Sequence, residues 1–212
     1  MRLAAAIFFC ASLAIAQPDL RGVYQSIPDR TTLAGGLKNT GSPSAIDLLP
    51  EAAHRAKAAD RKQDPWKMCQ PVGPFRMMAK DRTKFELAQV NAMVVMLFED
   101  LSHGMTRTIY LKRGHPPKLE PNWLGDSVGR WESDTLVIDT TGFNDQTWLN
   151  DQGAPHSDAL HLTERIRPLS RGQYLEYQVT AEDAKTLAKP YSYTRYFKKL
   201  DSEIADDVCQ DQ

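Results

Sequence analysis

The sequence predicts a mainly β fold, an antiparallel meander that closes into an eight-stranded barrel or half-barrel. From residue 84 onward the chain falls into eight short runs, several with apolar and polar residues in alternation. Most runs follow one another through turn residues, with no helix between them to set a βαβ rhythm. The one convincing helical pattern lies earlier, before residue 63. Eight sequential strands can close around a pocket large enough for one small ligand. A curved open sheet and a two-sheet sandwich are the alternatives.

Residues 17–50 read as a turn-rich arm, with a short strand at 19–24 and a loop rich in Gly, Thr and Ser at 32–44. Residues 46–62 form the helix. Pro50 fits a first turn, Glu51 complements the positive end of the dipole, and Ala52, Ala53, Ala56, Ala58 and Ala59 favour helix. Its face is small and charged, so it belongs on the surface, with His54 solvated. Residues 64–78 hold Pro65, Pro71, Gly73 and Pro74 among Trp66, Phe75, Met77 and Met78. They predict an irregular segment covering one end of the core.

Strands follow at 85–90, 92–99 and 105–111. The second is apolar on both faces, as a doubly covered strand would be. In the third, Met105, Ile109 and Leu111 share a face with Arg107. A turn at 113–117 leads into a proline-broken loop that ends at Gly125. Runs 128–132 and 135–140 pair as a hairpin across Ser133 and Asp134, with Trp131 opposite Leu136 and Gly129 opposite Ile138. Gly129 leaves room beside Ile138 for a bulky neighbour. Strands at 162–169, 174–181 and 191–200 complete a calycin- or lipocalin-like shape. The organisation expected is an export signal at 1–16, an arm, helix and cover at 17–83, and a β domain at 84–212, with 17–212 one globular unit.

The N-terminus carries Arg2, an apolar run and the A-x-A site Ala14–Ile15–Ala16, the pattern of a cleaved signal peptide. The protein is therefore expected in the periplasm or secreted, with no membrane span. Cys69 and Cys209 then form an even pair in an oxidising compartment, and a disulfide between them is expected. A formal net charge of −1 argues against a nucleic-acid partner. No P-loop, dinucleotide-binding glycine turn or G-x-S-x-G elbow occurs, so no cofactor is expected. The composition leaves oligomeric state open.

The string SVGRWESDTLVIDTTGFNDQTWL, followed by HSDALHLTER, resembles a group of secreted bacterial proteins with wording close to SVGRWEGDTLVVDTTGFND and HSE-x-LH-x-x-ER. PDLRGVY and the C-x-P-x-G-x-x-R segment from Cys69 to Arg76 are similar to that group as well. The resemblance covers most of the chain after residue 16 and implies export, but no particular activity. Ser133 stands where the group has glycine, which alters only a turn. Phe75 is wedged before Arg76, which weakens a role for Arg76.

The chemical candidates cluster between residues 144 and 164. His156 and His161 read as a proton-transfer pair, because imidazole titrates near neutral pH. Glu164 or Asp145 would orient them. Glu164 shares a strand face with Leu162 and Ile166; either that face points inward and the carboxylate needs a partner, or it points outward and Arg165 and Arg167 point in and need one. Arg107 and Arg195, each on an apolar strand face, would hold an anionic group, while Asn144, Trp148 and His115 would line the pocket. A divalent metal on His115, His156 and His161 is an alternative without a tight spacing signature. The expected function is an exported small-molecule enzyme of lyase, isomerase or hydrolase type at the barrel mouth. The competing expectation is a non-catalytic barrel holding a small apolar or aromatic ligand, with a small molecule the partner in both.

Overall fold

The computed structural model describes residues 17–99 and 105–205. The expected signal segment and Cys209, and with it one end of the expected disulfide, lie outside them.

Nine strands close into one barrel in sequence order. They are β1 (Gly22–Ser26), β2 (Lys84–Val90), β3 (Met93–Phe98), β4 (Thr106–Tyr110), β5 (Asp126–Glu132), β6 (Thr135–Thr141), β7 (His161–Leu169), β8 (Tyr174–Glu182) and β9 (Tyr191–Leu200). The expected count of eight is corrected by β1, which pairs antiparallel with both β2 and β9 and closes the ring. Part of the N-terminal arm is thus barrel wall.

Closure by nine strands has a consequence for direction. Antiparallel alternation cannot run consistently around an odd ring, so at least one pair must be parallel. That pair is β4 and β5, with Ile109 beside Ser127 and Tyr110 beside Val128. The purely antiparallel expectation fails there because the long loop from Leu111 to Gly125 carries the chain back along the barrel before β5 begins.

The hairpin of β5 and β6 has Trp131 opposite Leu136 and Gly129 opposite Ile138. A Cβ on Gly129 would stand 2.8 Å from Ile109 Cγ2 and 2.9 Å from Leu111 Cδ2, so the close neighbours come from around β4. Strand β3 is less covered than its composition suggests. Val94, Met96 and Phe98 are buried, whereas Met93, Val95 and Leu97 are only half-buried on the outer wall.

The helix α1 spans Pro50–Ala58, shorter than the predicted 46–62, and buries only Ala52. A second helix, α2 (Pro74–Met77), buries all four of its residues. It covers one end of the barrel: Phe75 packs edge-on against Tyr193 at 5.0 Å, and its carbonyl accepts from the Tyr193 hydroxyl. Tyr24, Phe85 and Phe197 occupy the interior elsewhere, with Phe85 and Phe197 5.1 Å apart. Side chains therefore occupy the space that an apolar ligand inside the barrel would need.

Candidate functional site

Three separate polar constellations emerge from the wall, and they take up Arg107, Glu164, His115, His161 and Arg195, whereas His156, Asn144, Asp145 and Trp148 lie outside them. The first is inside. On β7, Leu162, Glu164 and Ile166 point inward and are fully buried. Arg107 on β4 faces them. Its Nη1 donates to Glu164 Oε1 at 2.8 Å, and its Nη2 donates to Glu164 Oε2. Arg107 Nε donates to Ser127 Oγ at 3.0 Å, Nη2 to Thr140 Oγ1 at 2.8 Å, and Tyr177 Oη to Glu164 Oε1 at 2.8 Å. Burial alone would lower the arginine, but the Glu164 charge and hydrogen bonds outweigh it and hold Arg107 above its ordinary value. Burial, reinforced by the Glu164 charge, pushes the Tyr177 phenol far up, so it stays a donor. The carboxylate has its fork and its donor; this network is satisfied from within the protein.

The second constellation is on the outer wall. His161 lies three residues before Glu164 in the same strand, so strand alternation turns it to the opposite face. There its Nε2 faces Asp139 Oδ2 at 2.7 Å. His115 reaches the same carboxylate from the 111–125 loop, with Nε2 at 2.9 Å from Asp139 Oδ1. Its Nδ1 faces Asp126 Oδ1 at 2.6 Å, and Arg113 grips that aspartate too. Burial raises Asp139, but His161 and His115 more than reverse this and hold it below the usual carboxylate range. The arrangement ties the 111–125 loop to β5, β6 and β7.

His156 belongs to neither. It is buried in the loop before β7, where Nδ1–H donates to Ser157 O at 3.0 Å and Nε2 accepts from Thr147 Oγ1 at 2.6 Å. Ser157 in turn is held by Asp183 through its N–H at 2.6 Å and its hydroxyl at 2.8 Å. Among the described residues no hydrogen bond joins His156, His161 and Glu164, and the expected proton-transfer constellation is not assembled. Nor do His115, His156 and His161 converge, and no group of three or more His, Cys, Asp or Glu there is arranged to hold a metal ion.

Burial depresses the His156 pKa, so the neutral ring is the folded form. Its folded value lies below the unfolded value of about 6.5. The stability it contributes is therefore complete above that pH and is lost as pH falls toward the folded value. His156→Gln is expected to lose less stability than the parent between about pH 7 and pH 5, measured by urea unfolding at both. Equal losses would contradict a ring held neutral by burial.

The third constellation is at the barrel mouth. A cavity of about 600 Å³ is bordered by Asp64, Trp66, Arg76, Lys80, Asp151 and Arg195, among others. Arg76, inside α2, donates to Asp64 at 2.7 and 2.6 Å and to Asp151 at 2.8 and 2.6 Å. Lys80 Nζ lies 3.2 Å from the centre of the Trp66 ring. Arg195 on β9 is buried and donates through Nη1 to the carbonyls of Thr40, Gly41 and Thr194.

Of the other candidates, Asn144 and Asp145 shape a turn, their side-chain oxygens accepting from the Gln146 N–H and side-chain amide respectively. Trp148 stands half-buried with the Arg61 guanidinium 5.9 Å from its ring centre. Sequence reasoning missed Asp64, Lys80, Asp151 and Asp183, which lie in loops where no periodic pattern marks a direction. For His161 and Glu164 the signal was present, since an odd spacing within a strand excludes a shared face.

No protein-family model and no curated protein matches the chain. Solved structures with some similarity include one described as a REP1-NXSQ fatty acid transporter. It is 9% identical, with a TM-score of 0.37, over 57% of this chain and 73% of that one. A likeness at that level carries no argument about what this chain binds. No helix among the described residues is long and apolar enough to cross a membrane.

Proposed function

We propose that the chain binds a small molecule at the mouth of the barrel. The observation that carries this is the cavity of about 600 Å³ beside α2, in the size range of small-molecule pockets. Its walls combine Trp66 with converging charged groups, whereas aromatic side chains and the Arg107–Glu164 network occupy the interior. A polar mouth over a packed barrel suits recognition of a ligand that keeps part of its surface in water.

The test is a pull-down from a metabolite mixture with the protein lacking residues 1–16, read by mass spectrometry. A compound retained by the folded protein and lost from an Arg61→Met, Lys67→Met variant, both at exposed positions on the cavity wall, is the expected result. Retention unchanged in that variant would remove the mouth as the binding site.

A second reading, proton-transfer catalysis, rests on the half-buried His115–Asp139–His161 cluster, where two imidazoles meet one carboxylate. It requires that the retained compound be chemically converted on incubation and that Asp139→Asn abolish the conversion. Recovery of the compound unchanged would contradict it.

A further inference from the structure

Three arginines are buried among the described residues, and they are not equally compensated. Arg107 has a two-pronged partner in Glu164. Arg76 has Asp64 and Asp151. Among the described residues the one anion near Arg195 is Asp29, whose nearest carboxylate oxygen is 4.0 Å from Arg195 Nε and whose side chain is 61% exposed, against 4% for the arginine. Its guanidinium lies 4.8 Å from the Tyr193 ring centre and its Nη1 is engaged by three carbonyls, but its buried Nε has no hydrogen-bond acceptor among the described residues. A buried guanidinium without a close anion is costly, and the Nε side of the group is one that carboxylates and phosphates match.

The surroundings of Arg195 favour the same charge. It borders the mouth cavity together with Arg61 and Lys67, both exposed. Of the four acids bordering that cavity, Asp64 and Asp151 are committed to Arg76, Asp29 is the distant partner of Arg195, and Asp81 is exposed. Trp66 Nε1, on another wall residue, is a second buried donor with no acceptor among the described residues. The mouth thus offers two buried donors that no described acceptor meets, one of them on a guanidinium.

Building on the binding site proposed above, we infer that its ligand is a small organic anion, a carboxylate or a phosphate monoester, whose charged group is held by Arg195. Asp29 gives way to that group, since an exposed carboxylate at 4.0 Å holds the guanidinium only weakly.

The test uses four probes that share a ring and differ in head group: benzoate, phenyl phosphate, benzamide and benzylamine. Each is titrated into the protein by calorimetry, and its site is mapped by amide chemical shifts. Benzoate or phenyl phosphate is expected to bind at least about tenfold more tightly than the neutral and cationic probes. Which of the two leads tells carboxylate from phosphate. Added salt should narrow the margin, and Arg195→Met should remove it. Because Arg195 also holds the arm carbonyls, its variant is checked for folding first. Should it fail, the double variant Arg61→Met, Lys67→Met, at exposed positions, must weaken the anion. Benzamide or benzylamine binding at the mouth as tightly as the anions would overturn the anion inference and leave the binding site standing. If no probe shifts residues around the cavity, the mouth site and the anion inference fall together.

Discussion

Replacing Glu164 with Gln is expected to destabilise the fold by about 3–5 kcal/mol, the cost of leaving a buried charge without its partner. The side-chain volume barely changes, so packing does not enter. What changes is that Arg107, 2% exposed, keeps a full positive charge with no anion among its contacts, only Ser127 and Thr140 hydroxyls. Tyr177 loses a charged acceptor at the same time. The double variant Arg107→Met, Glu164→Leu removes both charges, leaves Ser127 and Thr140 in contact at 3.1 Å, and is expected to recover most of the loss. Urea unfolding of the parent, the single variant and the double variant decides this. A single variant within about 1 kcal/mol of the parent would mean that the pair does not act as a buried charge lock.

Arg76→Met is expected to cost a similar amount, about 3–5 kcal/mol, at the mouth rather than inside. The two carboxylates differ in what they lose. Asp151 is mostly exposed and returns to water, whereas Asp64 is buried and cannot. In the parent, burial pushes Asp64 up, but the Arg76 hydrogen bonds and charge pull it further down, so its net shift is downward. A depressed aspartate gives stability that is present above its unfolded value of about 3.9 and lost as pH falls through the folded value. In the variant burial loses its main opponent, the folded value rises above the unfolded one, and the sign reverses. Between about pH 7 and pH 4 acidification then relieves the variant, while the parent begins to lose its own contribution only below about 3.9. The gap between the two should close between about pH 7 and pH 4, measured by denaturant unfolding. A gap that widens toward acid would contradict an Asp64 dependent on Arg76.

How far the fold was legible depended on whether a residue's direction follows from strand alternation. The register of the β5–β6 hairpin and the shared face of Leu162, Glu164 and Ile166 follow from period-two patterning, whereas which way that face points does not follow from it and is settled by its burial. The sequence predicts a short strand at 19–24 and β1 lies at Gly22–Ser26, but its place in the barrel wall is not legible there, because it comes from pairing with the distant β2 and β9. The parallel β4–β5 pair is a property of ring closure, which no local window contains. The mouth was hardest to read. Asp64, Arg76, Asp151 and Arg195 meet only because α2, the 150–153 turn and β9 converge. Asp64 and Asp151 are unremarkable charges in their own stretches of sequence, Phe75 before Arg76 obscures that residue, and only Arg195 is marked, by its apolar strand face. Phe75 in fact buries against Tyr193 and helps seat the helix that carries Arg76.

A charge-locked barrel core beneath a binding mouth is tested most directly by mapping where a retained compound sits. Amide chemical shifts of the protein, followed during titration with the compound recovered from the metabolite pull-down, make that map. Binding at the mouth predicts the largest changes around Lys67, Lys80, Asp151 and Arg195, with little change along β6 and β8. The largest changes at Leu136, Ile138 and Val179, whose side chains face the interior, would contradict it.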